Sequence, residues 1–135
     1  MSNDKKTILL AEDEEDLREM YTMALSNKGY EVLQAENGKK AMEWLEKKYT
    51  QIDAVLLDII MPIMDGFETL EKIKKDERFK KIPVIVFTNL DNGEDKQQML
   101  KMGADDYFVK SKYTPSELVE KISLAFLENE KTSEK

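Results

Sequence analysis

The most informative feature of this sequence is what it lacks: among its 135 residues there is no cysteine and no histidine. Such a chain can form no disulfide, no zinc site with Cys or His ligands, no thiol nucleophile and no Ser-His-Asp triad. Any bound metal must be held by oxygen atoms, which favours Mg²⁺, Mn²⁺ or Ca²⁺. Acid–base or nucleophilic chemistry therefore falls to Asp, Glu, Lys, Tyr, Ser or Thr.

Long apolar runs are also missing, and none approaches the length needed to span a bilayer. The first residues, Met1 to Lys6, are polar, and no apolar stretch of signal-peptide length follows them. Together with the absence of cysteine, these features predict a cytoplasmic protein that does not bind a membrane.

The composition, 41% hydrophobic and 36% charged, is typical of a soluble globular domain. Lys and Arg total 21 against 28 Asp and Glu, so the formal net charge is −7. An acidic balance of this kind disfavours nucleic acid and anionic membranes as direct partners. The length suits one domain, with a predicted core over about residues 6–128 and frayed ends at about residues 1–5 and 130–135.

Short apolar runs alternate with segments of helical period along the chain. The five predicted strands contain the runs Ile8–Ala11, Val32-Leu33, Ala54–Leu57, Val84–Phe87 and Tyr107–Val109. Strands that alternate with helices form right-handed βαβ units and a parallel sheet. The pattern therefore predicts a three-layer, doubly wound α/β fold with about five strands and about five helices.

Several residues mark where the predicted helices begin and end. Gly29 and Gly103 are placed to end two helices in the left-handed conformation that glycine favours. Asn37 is placed to cap the second helix. The last helix begins with a capping box that has proline at the first helical position, Thr114-Pro115-Ser116-Glu117.

Polar residues follow four of the five strands, where ligands of open parallel sheets bind. Glu12 and Asp13 follow the first strand, Asp58 the third, Thr88 the fourth and Lys110 the fifth. Taken singly, Asp13 fits a helix cap and Asp58 fits a loop turn. Thr88 fits an ordinary strand residue, and Lys110 fits a solvated surface lysine. Their joint placement at one edge of an otherwise apolar sheet favours a functional site.

The three carboxylates repel each other unless a divalent cation or the Lys110 ammonium offsets their charge. Oxygen ligands at the end of a parallel sheet suit Mg²⁺, which keeps several waters and needs few carboxylates. A carboxylate beside such an ion can also attack phosphorus, because the metal and the lysine neutralise the phosphoryl oxygens. The sheet edge is therefore a candidate magnesium and phosphoryl-transfer site.

Four motifs, in their order and spacing, resemble the receiver domains of two-component response regulators. The resemblance covers roughly residues 6–128. The motifs are Ile8-Leu9-Leu10-Ala11-Glu12-Asp13-Glu14, Leu57-Asp58-Ile59-Ile60-Met61-Pro62-Ile63-Met64-Asp65-Gly66, Val86-Phe87-Thr88, and Gly103-Ala104-Asp105-Asp106-Tyr107-Phe108-Val109-Lys110. The resemblance implies a flavodoxin-like strand order, 2-1-3-4-5, and a phosphorylated signalling domain rather than an enzyme.

The resemblance also implies roles for the acidic residues. Asp58 would be the phosphoacceptor, taking a phosphoryl group from a sensor histidine kinase or a histidine phosphotransfer protein. Asp13 and Asp58 would hold Mg²⁺, or Mn²⁺ in its place. Glu12 would bind the ion through water, and the Ile60 backbone carbonyl would be a further ligand.

Three more residues would complete the site and its switch. Thr88 would hydrogen-bond a phosphoryl oxygen, and Lys110 would pair first with Asp58 and then with the phosphoryl group. Tyr107 would be the switch aromatic that turns inward as Thr88 moves. The output surface would be the face formed by the fourth helix, the fifth strand and the fifth helix.

The chain departs from the family pattern at two positions. Asn89 follows the threonine, where the family usually has a small residue. Ser111 follows the lysine, where proline is usual and is often joined by a cis bond, which costs ~2.5–4 kcal/mol without proline. The connection there is also one residue longer than usual, so Lys112 is a second candidate lysine, although the spacing from Gly103 favours Lys110.

Two apolar residues suggest slow hydrolysis of the aspartyl phosphate. In the family, the residues two after the phosphoacceptor and two after the threonine tune the attack of water on the phosphoryl group. Here they are Ile60 and Leu90, and we expect them to exclude or misplace the water. The resemblance therefore predicts a long-lived aspartyl phosphate.

Other interpretations remain open from sequence alone. A Mg²⁺-dependent phosphohydrolase with an aspartyl nucleophile would carry a second Asp at position 60, which is Ile60 here. A flavodoxin-like cofactor binder would need a phosphate-cradling loop where the acidic run Glu12-Asp13-Glu14-Glu15 lies. A receiver-like module that docks without being phosphorylated is kept open by Asn89 and Ser111.

The lack of histidine also predicts a partner, because the phosphohistidine that feeds Asp58 must come from another protein. The fifth helix is predicted to reach about Asn129, so we expect a single-domain receiver. It would be a monomer or weak dimer that docks on an unknown downstream protein or relays the phosphoryl group.

Overall fold

The computed structural model describes residues 5–133, with side chains described as far as Phe126. Its centre is a five-stranded parallel sheet in the order β2-β1-β3-β4-β5, which confirms the predicted fold class and strand order. The strands are β1 Thr7–Ala11, β2 Glu31–Ala35, β3 Ala54–Leu57, β4 Val84–Thr88 and β5 Asp106–Val109.

Helices cover both faces of the sheet. They are α1 Glu15–Asn27, α2 Gly38–Lys48, α3 Gly66–Lys75, α4 Gly93–Lys101 and α5 Pro115–Ser133, with a short 3₁₀ helix over Lys110–Lys112. Helices α2, α3 and α4 pack on one face, and α1 and α5 pack on the other. All residues of β3 and β4 are buried, as expected for inner strands covered on both faces.

The side chains of each strand alternate between two cores. On β1, Leu9 packs toward α2, α3 and α4, whereas Ile8 and Leu10 pack toward α1 and α5. Neighbouring strand residues point to opposite faces, so an apolar run fills both cores at once. Because the strands are parallel, their carboxyl ends lie together, and the residues that follow them meet at one edge of the sheet.

The predicted helix boundaries are present in the structure. The Asn37 side chain accepts a hydrogen bond from Lys40 N at 2.8 Å. Thr114 and Glu117 cap each other reciprocally, with Glu117 N donating to Thr114 Oγ1 at 3.1 Å and Thr114 N donating to Glu117 Oε1 at 2.9 Å. Gly29 and Gly103 follow α1 and α4 with φ of 104° and 111°, a region that glycine adopts without strain.

The two ends of the chain are only partly described. Residues 1–4, 134 and 135 lie outside the described residues, so the expected fraying of the ends stays a prediction, and α5 extends to Ser133. Within residues 5–133, none of the helices combines the length and hydropathy needed to cross a membrane.

Gly66 fixes the loop that joins β3 to α3. Its N–H donates to Ile59 O at 2.8 Å, so the loop returns on itself directly after β3. A Cβ at Gly66 would collide with the Asp58 carbonyl oxygen and lie 2.7 Å from Ile59 Cα. Both obstacles are backbone atoms, so a side chain at Gly66 requires Asp58 itself to move.

Replacing Gly66 with Ala is expected to lower the free energy of unfolding by about 1–3 kcal/mol, because the crowded backbone must shift. Gly93→Ala is the matched control: Gly93 also opens a helix after a capping residue, and no atom lies within 4 Å of its Cβ position. Urea denaturation followed by circular dichroism measures both variants. Equal stabilities would contradict the close approach at Gly66.

Candidate functional site

The structure brings the strand-end residues together in one cleft at the carboxyl edge of the sheet. The cleft has a volume of about 210 Å³. Its walls are Asp13, Glu14, Asp58, Ile60, Thr88, Asn89, Leu90 and Lys110. Glu12 is fully buried and reaches this group through Lys110. The predicted site residues thus converge, and they come from the ends of four strands, β1, β3, β4 and β5, or from the loops that follow them.

Lys110 is the centre of the charged group. It is 6% exposed, and its Nζ donates to Glu12 Oε1 and, at 2.9 Å, to Asp58 Oδ2. Nζ also lies 5.0 Å from the centroid of the Phe87 ring. Burial acts to lower the pKa of Lys110, but the Asp58 charge and the hydrogen bonds to Glu12 and Asp58 outweigh burial and raise it. The ammonium therefore stays charged.

Glu12 is a fully buried carboxylate with both oxygens engaged. Its Oε2 accepts from Glu14 N at 3.0 Å, and its Oε1 accepts from Lys110 Nζ. Burial raises the pKa of Glu12, and the hydrogen bond from Lys110 opposes that rise. A buried carboxylate remains ionised only when it is paired and hydrogen-bonded, so Glu12 and Lys110 depend on each other.

Asp58 is 6% exposed, and both of its carboxylate oxygens accept hydrogen bonds. Oδ1 accepts from Ile59 N at 2.7 Å, and Oδ2 accepts from Lys110 Nζ at 2.9 Å. The backbone is held as well, because Asp58 N donates to Ala11 O at 3.1 Å on the neighbouring strand β1. The carboxylate is therefore presented to the cleft in one fixed orientation.

The acidic residues fit a hard divalent cation. One carboxylate oxygen each from Glu12, Asp13 and Asp58 lies within 4.8 Å of the others. Asp13 is exposed, which leaves room for the waters that Mg²⁺ retains. The oxygen-only donor set matches Mg²⁺ or Mn²⁺, and Ile60, whose carbonyl is the fourth predicted ligand, also borders the cleft.

Thr88 and Tyr107 are joined through one peptide segment. Leu90 N donates to Thr88 Oγ1 at 3.4 Å, and the Tyr107 hydroxyl donates to Leu90 O at 2.7 Å. Tyr107 is buried, and burial, followed by the charges of nearby aspartates, raises the pKa of its hydroxyl. The phenol therefore stays protonated as a donor, and Leu90 links the cleft to β5.

Asn89 and Ser111, the two departures from the family pattern, lie on the cleft wall and just after β5. Asn89 is exposed on the wall of the cleft. Ser111 lies in the 3₁₀ helix that follows β5, and the described residues contain no cis peptide bond, so the Lys110–Ser111 bond is trans. Lys112 points to solvent and pairs with Asp91 at 3.6 Å. The structure thus places Lys110, and not Lys112, beside Asp58.

Arg18 is a site residue that the sequence analysis missed. Its Nη1 donates to the backbone carbonyls of Glu12 at 2.8 Å and Asp13 at 3.4 Å. It thereby fixes the loop that carries two of the three carboxylates. Its position in the first turns of α1, four residues after Glu14, was an available signal, since that spacing brings side chains back toward the start of a helix.

Replacing Lys110 with Met is expected to lower the free energy of unfolding by about 3–5 kcal/mol at pH 7, because it leaves the buried carboxylates of Glu12 and Asp58 without a positively charged partner. Without the ammonium, the pKa of Glu12 rises further, because burial is no longer opposed. Glu12 then takes up a proton on folding. A raised pKa gives stability at low pH that is lost as pH rises, so the variant should be more stable at pH 5 than at pH 7.

Lys112→Met is the matched control for that experiment. Its exposed pair with Asp91 should change stability by less than about 0.5 kcal/mol. Urea titrations at both pH values measure the two variants. A Lys110→Met protein as stable as the Lys112→Met protein would show that the buried ion pairs do not support the fold.

Comparison with known proteins points to one family. The family model for the response regulator receiver domain matches residues 8–123. Among curated proteins, the phosphate regulon transcriptional regulatory protein PhoB of Pseudomonas aeruginosa is 39% identical over 117 residues. That match covers 87% of this chain and 50% of PhoB, so the chain spans about half the length of such relatives.

Solved structures agree with this match. A CheY-like response regulator receiver domain protein from Methanospirillum hungatei aligns with a TM-score of 0.84 and 30% identity, covering 95% of this chain and 98% of that one. A chain of the CheX-CheY-BeF3-Mg+2 complex from Borrelia burgdorferi aligns with a TM-score of 0.82 and 25% identity, covering 90% of this chain and 89% of that one.

Proposed function

The chain belongs to the response regulator receiver domain family, and from that premise we propose that Asp58 accepts a phosphoryl group in a two-component or phosphorelay system. The observation that supports this most directly is the contact of Lys110 Nζ with the Asp58 carboxylate at the mouth of an acidic cleft. The 135 residues contain no histidine, and the donor that we propose is the phosphohistidine of a sensor kinase or of a histidine phosphotransfer protein.

In the proposed reaction, an oxygen of Asp58 attacks phosphorus as the bond from phosphorus to the donor's histidine nitrogen breaks. The nitrogen keeps the electron pair and takes up a proton, and the phosphoryl group becomes an acyl phosphate. Lys110 offsets the charge of Asp58 before transfer and of the phosphoryl oxygens after it. Thr88 is 1% exposed on the cleft wall, and its hydroxyl would donate to a phosphoryl oxygen.

Receiver domains bind Mg²⁺ at an acidic pocket, and the acidic residues of this chain suit that ion. Asp13, Asp58 and the Ile60 carbonyl would hold it directly, and Glu12 would do so through water. The ion supplies charge neutralisation for the phosphoryl oxygens and for the crowded carboxylates. Arg18, which holds the backbone carbonyls of Glu12 and Asp13, keeps the loop in position for this.

The proposed switch runs through Leu90. A phosphoryl group adds about −1.5 to −2 charge at pH 7, which draws the Thr88 hydroxyl toward the cleft. Since Leu90 N donates to that hydroxyl and Leu90 O accepts from Tyr107, a movement of Thr88 reaches β5 through one segment. The surface formed by α4, β5 and α5 would then bind a downstream protein.

Incubation with acetyl phosphate and Mg²⁺ is expected to add the mass of one phosphoryl group to the intact protein. Asp58→Asn should abolish the gain, because it replaces the nucleophilic carboxylate with an uncharged amide. Asp91→Asn is the matched control, since Asp91 is an exposed aspartate paired only with Lys112 among the described contacts, and it should be phosphorylated normally. Intact mass spectrometry measures all three proteins.

Two further measurements, beryllofluoride binding and phosphate-ester turnover, separate the alternatives. No mass gain, together with no binding of beryllofluoride, would favour a module that docks without phosphorylation. Turnover of many equivalents of a phosphate ester would favour a phosphohydrolase. The structure offers no support for the latter, because Ile60 stands on the cleft wall where a general acid would be needed.

We also propose that the aspartyl phosphate is long-lived. Ile60 is 61% exposed at the cleft, and Leu90 is half-buried on the facing wall. Neither side chain can hydrogen-bond a water aligned for attack on phosphorus. Self-phosphorylation and slow loss of the phosphoryl group would then be the only reactions of the domain.

Introducing Asn at Ile60 and Glu at Leu90 together is expected to speed phosphoryl loss on the order of tenfold, a change in barrier of about 1.4 kcal/mol. The decay is measured by intact mass in Mg²⁺ buffer after acetyl phosphate is removed. Leu100→Glu, on α4 and outside the cleft, controls for added charge. Unchanged decay in the double variant would contradict the tuning role.

A further inference from the structure

Ile63 adopts a backbone conformation that its side chain disfavours. Its φ is 69°, and among the described residues it is the only non-glycine residue with positive φ. Met64 N donates to Pro62 O at 2.7 Å, which closes a three-residue γ-turn with Ile63 at its centre. The γ-turn with positive φ is the rare, strained form, and a β-branched residue suits it least.

The surrounding loop imposes this turn. Met64, the last residue of the turn, accepts a hydrogen bond at its carbonyl from Gly38 N at 3.0 Å, at the start of α2. Gly66 N donates to Ile59 O at 2.8 Å, which joins the residues before and after the turn, and Asp65 caps α3 by accepting from Glu68 N at 2.9 Å. Any residue at position 63 must therefore accept positive φ, and glycine would do so without strain.

Nothing in the described fold gains from the isoleucine side chain. Ile63 is 75% exposed, more than any other large hydrophobic residue of the described part of the chain, and it belongs to neither core. Strain of this kind persists where the surrounding structure imposes it, and it clusters at functional sites. The side chain at position 63 is therefore available to a binding partner.

The geometry of the site identifies that partner. Asp58 is only 6% exposed, so a phosphohistidine carried on a protein reaches it only when that protein covers the rim of the cleft. Ile60, 61% exposed, forms part of that rim in the same loop as Ile63. Asp13 and Glu14 make another part of the rim acidic.

We propose that Ile60 and Ile63 form the apolar contact on which the phosphohistidine-bearing donor protein docks. The donor would place apolar side chains beside its phosphohistidine and basic side chains opposite Asp13 and Glu14. The inference rests on the proposed phosphoacceptor role of Asp58. A small-molecule phosphoryl donor would not contact Ile60 and Ile63 in this way.

The test compares a protein donor with a small one. The protein donor is an autophosphorylated sensor-kinase catalytic core, chosen from a panel by transfer to the unaltered chain, and the small donor is acetyl phosphate. The variants are Ile63→Gly, Ile63→Asn and Ile63→Met, the last of which keeps an apolar side chain. Leu124→Asn is the control, because Leu124 is 52% exposed on α5 beside Ser123, which contacts Tyr30 at the opposite edge of the sheet.

For Ile63→Gly and Ile63→Asn, transfer from the kinase should fall about tenfold in kcat/KM, as expected for truncation of one well-packed contact residue. Phosphorylation by acetyl phosphate should not change, and the melting temperature of Ile63→Gly should not fall. Ile63→Met should retain most of the transfer rate, and Leu124→Asn should match the unaltered chain.

Three results would overturn the docking proposal alone: equal losses with both donors, no loss with either donor, or a lower melting temperature in Ile63→Gly. The first would place Ile63 in the chemistry, the second would leave it without a role in transfer, and the third would place it in the fold. Failure of both donors to phosphorylate the unaltered chain would instead overturn the phosphoacceptor role, and the docking proposal with it.

Discussion

The ion pairs of Lys110 with Glu12 and Asp58 are the interaction on which the rest of the site depends. Two carboxylates that are almost wholly buried at the end of a parallel sheet are tolerable only because one ammonium lies between them. With Asp13 included, the cluster of three carboxylates and the Lys110 ammonium carry a formal charge of −2. A divalent cation would neutralise that residual charge, so the pairing that stabilises the fold also leaves a charge that suits the proposed ion.

The topology explains why these residues meet. The chain passes from β1 outward to β2, then crosses back over β1 to β3, so β1 and β3 are neighbours where the winding reverses direction. The loops after these two strands part to opposite faces of the sheet, which opens a crevice between them. Asp13 follows one strand and Asp58 the other, and the neighbouring strands β4 and β5 supply Thr88 and Lys110. No single segment could assemble such a set.

Sequence patterns predicted the sheet, its helices and the residues at the strand ends, because burial and chain direction alone determine these. They did not predict that Glu12 would share Lys110 with Asp58, since that depends on how far a side chain reaches across two strands. Arg18 was missed because its contacts are to backbone carbonyls, which carry no residue-specific signal. The strain at Ile63 ran against its residue type, because a β-branched side chain indicates extended backbone. The backbone conformation after Lys110 could not be predicted from the family pattern, because Ser111 replaces the usual proline.

The Leu90 peptide segment is held unequally at its two ends. Its N–H meets the Thr88 hydroxyl at 3.4 Å, a weak hydrogen bond, whereas its carbonyl receives the Tyr107 hydroxyl at 2.7 Å. The hydrogen bond at the cleft end therefore breaks at little energetic cost, whereas the hydrogen bond from the buried Tyr107 is the stronger one. In the proposed switch, the weaker hydrogen bond would break first, and the hydrogen bond from Tyr107 would remain. A rearrangement at Thr88 would then be reversible, because it would leave the packing of β5 in place.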